Sequence, residues 1–208
     1  MIKSEMIKSV IFDVGGVLVR SGDRKGRTKW EQRLGLNEWE SEEIIFNSEM
    51  GRKAQLGEIS DETLWEWAAS QFDLSPEEFE QFREDFWADN AVDRDMIDMI
   101  KDLRPAYQTA IISNATDTLR EDLKSRYQIL DVFDHVVCSA EEKTMKPGPE
   151  IYLRTIELLK NEPGECIFID DMEENVTAAR KLDMKAIHFT PDTDLSAELS
   201  ALGVMRGG

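Results

Sequence analysis

Cysteine is scarce in this chain, with two in 208 residues, Cys138 and Cys166. Each lies in an apolar, strand-like run, and no disulfide framework can be built from them, so both read as reduced core thiols. Positive charge is short as well. Lys and Arg total 25 against 43 Asp and Glu, a formal net charge of −18. A surface this acidic repels phosphate backbones and anionic bilayers, so neither nucleic acid nor membrane is an expected partner. A small phosphorylated ligand stays open, because local cations decide that. Long apolar runs are missing: none approaches the ~20 residues that span a bilayer. The lysines of Met1 to Ser9 are not followed by an apolar stretch, so no export signal is expected and the cytoplasm is the expected location. Repeats and low-complexity segments are absent too. Gly207-Gly208 is expected to fray, and the oligomeric state stays open between monomer and dimer.

What is present is ordinary for a globular protein, with 41% hydrophobic and 33% charged residues. The length suffices for one core, or for a core with a small inserted domain. The stretch Ser9-Val10-Ile11-Phe12-Asp13-Val14-Gly15-Gly16-Val17-Leu18 stands out. Val10 to Phe12 has no polar alternation, which suits a short strand buried on both faces of a parallel sheet. The glycine pair ends it and lets the backbone turn or approach a ligand. Asp13 either caps that turn or carries chemistry at the carboxyl end of a central strand, where ligands of open α/β sheets bind.

From Arg20 to about Ala91 the pattern is helical. Trp30 and Leu34 suggest one helix, Trp39 to Phe46 a second, and Leu64, Trp67, Ala68 and Phe72 one face of a third. Ser60 precedes Asp61 and Glu62 as an N-cap, and Ser75-Pro76-Glu77-Glu78 is a capping box whose helix aligns Phe79, Phe82 and Phe86. All five tryptophans lie between Trp30 and Trp87. The segment is expected to be a bundle of about four helices with the tryptophans in its core.

Strands and helices alternate afterwards. Met96, Met99, Ile100 and Leu103 mark a helix closed before Pro105. Strands are expected at Thr109–Ile112, His135–Cys138, Cys166–Ile169 and Ala186–Phe189. Helices are expected at about Thr116–Tyr127, Pro149–Lys160, Glu173–Leu182 and Leu195–Leu202. This alternation means right-handed crossovers and a Rossmann-like, doubly wound α/β sheet sandwiched by helices. The expected division is a core of residues 1–19 and 92–208 with a helical cap at residues 20–91.

Parallel strands put their carboxyl ends on one edge, so Asp13, Ser113-Asn114, Lys146 and Asp170-Asp171 are expected to converge. Three carboxylates at one edge repel unless a cation joins them, and hard oxygen ligands with open positions suit Mg²⁺. A hydroxyl and an ammonium nearby are what phosphoryl oxygens need. That leaves Asp13 as a nucleophile able to form an aspartyl-phosphate.

With those motifs in place, the chain resembles the haloacid dehalogenase-like hydrolase superfamily, in the subgroup with a helical cap inserted after the first motif. The carriers are Val10 to Leu18, Ile111-Ile112-Ser113-Asn114, Lys146-Pro147, and Ile167-Phe168-Ile169-Asp170-Asp171 followed by Asn175. The resemblance implies that Asp13 is the nucleophile. It implies Mg²⁺ held by Asp13, the Gly15 carbonyl, Asp171 and Asp170. Ser113 would hold phosphate oxygens, helped by N–H groups near Asn114 and Val14, and Lys146 would offset charge. Asn175 would orient the acid pair, and the helical segment would close over a small phosphorylated substrate such as a sugar phosphate.

One position departs from the pattern. Most phosphatases of the superfamily carry a second Asp two residues after the nucleophile, as acid and base; here that residue is Gly15. Such catalysis is worth roughly 10²- to 10⁴-fold. The departure favours a good leaving group such as an anomeric phosphate, or an acid supplied by the cap; some members acting on sugar 1-phosphates resemble this chain in having glycine there. Two other readings stand beside the phosphatase. One is a metal-independent 2-haloacid dehalogenase, which the paired acids oppose because without a cation they are costly. The other is a non-catalytic member binding a protein through its cap. Arg20, Arg52 and Lys53 are candidates to reach a substrate, and neither His135 nor His188 is expected to be catalytic.

Overall fold

The computed structural model describes residues 6–205. The fraying expected at Gly207-Gly208, and most of the Met1 to Ser9 reading, lie outside them. The described strands are β1 (Ser9–Phe12), β2 (Val19–Ser21), β3 (Asn90–Val92), β4 (Gln108–Ser113), β5 (His135–Cys138), β6 (Cys166–Asp170) and β7 (Lys185–His188). Five of them form one sheet in the order β5-β4-β1-β6-β7, and every pairing in it is parallel. β1 is the middle strand and is buried throughout. Val10 and Phe12 point into one apolar layer and Ile11 into the other, the alternation of a strand covered on both faces.

Helices α6 (Arg94–Leu103) and α11 (Leu195–Ala201) supply Ile97, Ile100, Leu195 and Leu199 to the first layer. Helices α9 (Pro149–Leu159) and α10 (Glu173–Lys181) supply Ile151, Tyr152, Ile156 and Ala179 to the second. The chain winds from β1 outward to β4 and β5, then returns to the other side of β1 with β6 and β7. The switch of direction therefore falls at β1, and Asp13 follows it directly.

Between β2 and β3 lie α1 (Lys25–Leu34), α2 (Glu40–Phe46), α3 (Glu49–Gln55), α4 (Asp61–Ala69) and α5 (Pro76–Ala88). They gather around Trp30, Ile45, Leu64, Trp65, Phe72, Phe79, Phe82 and Phe86 as an apolar cluster of their own. Burying each such side chain contributes about 1.5–3 kcal/mol. The Ser75 capping box forms: its hydroxyl accepts from Glu78 N at 3.2 Å, and Glu78 Oε2 accepts from Ser75 N at 2.9 Å.

Several local expectations are corrected. The helical segment has five helices where about four were expected. The extra one, α3, is a seven-residue helix opened by Ser48, whose hydroxyl accepts from Gly51 N at 3.0 Å, and it is too short to show an apolar stripe. In α4 the buried face is Leu64, Trp65 and Ala68, while Trp67 is half-buried and Phe72 lies beyond the helix. Trp39 is not in a helix; it precedes α2 with φ 71° and is 51% exposed, so it is not a core tryptophan.

The run expected as a helix from Thr116 shortens to α7 (Leu119–Glu121), followed by a π-turn (Asp122–Arg126). In that turn Tyr127 N donates to the Asp122 carbonyl, five residues back, at 2.9 Å. Thr116 lies outside the helix, and its hydroxyl bonds Asp61 at 2.9 Å. Finally, Val19–Ser21 and Asn90–Val92 pair as a two-stranded antiparallel ribbon that carries the chain into and out of the helices. Three-residue strands leave no periodicity to read.

Candidate active site

Each motif arrives on the sheet's carboxyl edge by a different local route. Asp13 is the first residue after β1, and its Oδ1 accepts from Val14 N at 2.7 Å. Ser113 is the last residue of β4, and Asp170 the last of β6. Lys146 stands in the loop between α8 (Ser139–Glu142) and α9. Asn114 fixes that loop through two bonds: its Nδ2 donates to the Lys146 carbonyl at 2.9 Å, and its Oδ1 accepts from Lys146 N at 2.8 Å. Asn114 thus spends its side chain on positioning the lysine.

Lys146 is 2% exposed and bridges two carboxylates, with Nζ 2.8 Å from Asp13 Oδ1 and 2.6 Å from Asp170 Oδ2. Asp170 is fully buried and heavily bonded. Asn175 Nδ2 donates to both its oxygens, at 3.0 and 3.2 Å, and Met172 N donates to Oδ1 at 2.8 Å. Tyr152 in turn donates its hydroxyl to the Asn175 carbonyl at 3.1 Å. Asn175 therefore orients Asp170; none of its bonds reaches Asp171.

Asp171 stands beside them, half-buried. Carboxylate oxygens of Asp13, Asp170 and Asp171 all lie within 4.8 Å of one another. Gly16 makes this approach possible. Its φ is +73°, and a Cβ there would fall inside the Asp171 carboxylate. At Gly15, by contrast, a Cβ would meet nothing within 4 Å, so packing does not demand glycine at the position that departs from the family pattern.

The charges are strongly coupled. Burial pushes the Asp13 carboxyl up to about 7; the Lys146 ammonium pulls against this, and the charge of Asp170 adds to it. Burial and the neighbouring Asp170 also raise Asp171. For Lys146 burial works against the ammonium, but the charges of Asp13 and Asp170 outweigh it and hold it above its ordinary value. Three carboxylates facing one ammonium form an anionic pocket that one hard divalent cation would balance, and their oxygens are the donors such a cation takes.

Above the cluster opens a cleft of about 1390 Å³, floored by Gly15, Ser113, Asn114 and Asp171 and walled by α2, α4 and α5. Residues that the sequence did not single out line it. Asp61, at the start of α4, accepts from Thr116 Oγ1 at 2.9 Å and from Arg83 at 3.0 Å, and its own N–H donates to Asp117 at 2.9 Å. Lys143 donates to the Gly57 carbonyl at 2.6 Å nearby. The Thr116 and Asp117 bonds tie the helical segment to the loop after Ser113, and the Lys143 bond ties it to the turn after α8. Only Ser60 preceding Asp61 was legible, as a cap.

Of the substrate-reaching candidates, Arg20 lines the cleft but is ion-paired with Asp93, Lys53 pairs with Glu49 at 2.7 Å, and neither Lys53 nor Arg52 lines the cleft. His188 donates Nε2–H to the Asp171 carbonyl at 2.8 Å, with Nδ1 3.0 Å from Glu173. It props the acid loop from behind.

The chain is similar to known proteins along most of its length. The chain is 26% identical over 196 residues to a sesquiterpene phosphatase of Aspergillus oryzae, covering 94% of this chain and 96% of the relative. It is 26% identical over 216 residues to a D-ribitol-5-phosphate phosphatase of Bacteroides thetaiotaomicron, covering 95% and 98%. A crystal structure of a haloacid dehalogenase family enzyme from Bacteroides thetaiotaomicron, in complex with magnesium and inorganic phosphate, superposes with a TM-score of 0.76 at 22% identity, over 92% of this chain and 98% of the other. The model of the haloacid dehalogenase-like hydrolases matches residues 7–183, and the chain belongs to that family of hydrolases.

Proposed function

We propose that the chain is a Mg²⁺-dependent phosphatase of small phosphate monoesters, with Asp13 as nucleophile. The observation that carries this reading is the buried lysine held between Asp13 and Asp170, with Asp171 alongside, beneath a large cleft that Asp171 helps to line. In this reading residues 1–19 and 92–208 form the catalytic core and residues 20–91 the cap. Asp13, Asp171, Asp170 and the Gly15 carbonyl would hold Mg²⁺, which when bound screens the charge of the phosphoryl oxygens.

The chain's own residues do the rest. Asp13 forms a bond from a carboxylate oxygen to phosphorus, and the ester P–O bond breaks with its electron pair leaving on the alcohol oxygen. Lys146 and the Ser113 hydroxyl hold the phosphoryl oxygens, and N–H groups near Val14 and Asn114 help orient them. A water then attacks the phosphorus of the aspartyl-phosphate and the P–O bond to Asp13 breaks, restoring the carboxylate. The proton that this water gives up balances the one the departing alkoxide takes from solvent, so the products are alcohol and hydrogen phosphate. The cap walls keep bulk water from the cleft during the first step. The metal-free dehalogenase reading would leave Asp171 facing Asp13 and Asp170 with a single lysine among them, a costly arrangement with nothing to do.

The deciding assay is hydrolysis of p-nitrophenyl phosphate with Mg²⁺ and with EDTA. Phosphate release that needs Mg²⁺ is expected; release unaffected by EDTA, or none from a folded sample, overturns the reading. A second expectation concerns Gly16. Gly16→Ala places a Cβ in the left-handed region, costing about 1–2 kcal/mol, and drives the Asp171 carboxylate away from Asp13. In thermal-shift titrations Mg²⁺ is expected to stabilise the parent protein at concentrations that leave this variant unmoved. Equal shifts would show that Asp171 is not a ligand.

A further inference from the structure

The cleft is larger than a phosphoryl group requires. At about 1390 Å³ it exceeds the ~300–1,000 Å³ of ordinary small-ligand pockets. Its floor is polar, but its far wall is aromatic. Phe46 from α2 and Trp87 from α5 line it half-buried. Behind them stand Trp65 and Phe86, both buried. The four rings brace each other: centroids lie 5.7 Å apart for Phe46–Trp87, 6.1 Å for Phe46–Trp65, 5.0 Å for Phe86–Trp87 and 6.3 Å for Trp65–Trp87. Such a wall is rigid and keeps Phe46 and Trp87 at the cleft surface. Across from it the core contributes Leu119, Tyr127 and Phe189.

Most polar groups around this wall are already engaged; among the described residues Glu80 and Glu84 of α5, exposed at the cleft, are not. Arg27 donates to the Phe86 carbonyl at 2.8 Å, to Ser21 and Asn90 at 2.9 Å, and to Glu42 at 3.0 Å. Arg83 is bonded to Asp61, and Arg20 is paired with Asp93 while lying over the Phe189 ring. Exposed Arg126 sits 5.7 Å from the Trp87 ring centroid and 3.5 Å from Asp122. A polyol needs unspent donors and acceptors to replace its hydration, and this wall offers few. An apolar group needs only surface to cover, and covering half-buried rings is favourable.

We propose that the cleft selects monoesters whose alcohol part is a large apolar or aromatic group, with Phe46 and Trp87 as the specificity-determining residues. The inference rests on the phosphatase reading of the floor. It assigns the chemistry of the leaving group, which the floor leaves undetermined.

The test compares two primary alkyl phosphates of similar leaving-group acidity, 2-(2-naphthyl)ethyl phosphate and D-ribitol 5-phosphate, on the full chain with Mg²⁺. Expected is a kcat/KM roughly tenfold or more in favour of the naphthyl ester, carried by KM, as for other apolar specificity pockets. Trp87→Ala and Phe46→Ala are expected to shrink that ratio mainly by raising KM for the naphthyl ester, and Trp87→Phe to restore most of it. Trp87→Phe and Phe46→Leu keep the test decisive if an alanine variant does not fold. Equal or better turnover of the ribitol ester overturns the inference while leaving the phosphatase reading standing, and so does an unchanged ratio in the folded variants. Hydrolysis of neither ester nor of p-nitrophenyl phosphate overturns both.

Discussion

Asp13→Asn is expected to abolish turnover and, in the metal-free protein at pH 8, to raise the melting temperature. Loss of turnover follows because an amide cannot form the aspartyl-phosphate. The gain in stability follows from charge. Asp13, Asp170 and Asp171 face Lys146 alone in a buried setting. Asparagine keeps an oxygen where Val14 N and Lys146 Nζ donate, and it removes one of the three negative charges.

The pH dependence fixes the sign. Burial raises the Asp13 carboxyl from 3.8 to about 7, so the folded chain holds that proton more tightly than the unfolded chain. The associated stability is fully present below pH 4 and is lost as pH rises towards and through 7. Wild type minus variant is therefore most negative at pH 8 and shrinks towards pH 5. Each kcal/mol recovered is worth about 2–4 °C in a chain of this size. Thermal unfolding in EDTA at the two pH values reads it. With Mg²⁺ added the order is expected to narrow or reverse, because the carboxylate is then a ligand and binding stabilises the folded state. A variant less stable than wild type at pH 8 in EDTA would show that the three acids do not strain the fold.

Lys146→Met is expected to act in the opposite direction on stability and the same direction on activity. Removing the one buried ammonium leaves Asp13 and Asp170 without their counter-charge, and breaking a buried pair this way costs about 3–5 kcal/mol. That corresponds to a fall of at least about 6 °C in melting temperature. Turnover is expected to drop by roughly 10²- to 10³-fold, as when a group stabilising transition-state charge is deleted. Mg²⁺ is expected to return part of the lost stability, since a second cation reaches the same acids. A Lys146→Met protein as stable as its parent in EDTA would mean that the carboxylates share protons instead of needing the lysine. The pair of variants separates the roles cleanly: one acid fewer relaxes the site, one cation fewer unbalances it.

Much of the fold and of the site floor was legible in the sequence. The unbroken apolar runs ending in Asp13, Ser113 and Asp170 announce buried parallel strands, and parallel strands share one carboxyl edge. The capping box at Ser75 and the Phe79, Phe82, Phe86 spacing place α5 without a structure. Local signals failed where partners are remote. Trp65, not Trp67, faces the helical core because the turn of α4 is set by what packs on it. The helix expected from Thr116 starts only at Leu119, and the Thr116 hydroxyl is held by a carboxylate 55 positions away. Asn114 was expected beside the phosphate through the N–H groups near it; that both ends of its side chain bind the Lys146 backbone is what no local pattern shows.

The sequence by itself determined the strand order's raw material, the acidic and lysine groups at strand ends, and the helical character of the segment from Arg20 to about Ala91, whose two ends the structure places in β2 and β3. These follow from short-range rules of burial periodicity, capping and turn chemistry. Only the tertiary structure decided which acid bonds the lysine, that Gly16 lets Asp171 approach Asp13, and that Phe46 and Trp87 line the same cleft as Ser113 and Asp171. Those depend on distances between residues far apart in the chain. Such distances are set by how layers pack, and no local pattern encodes them.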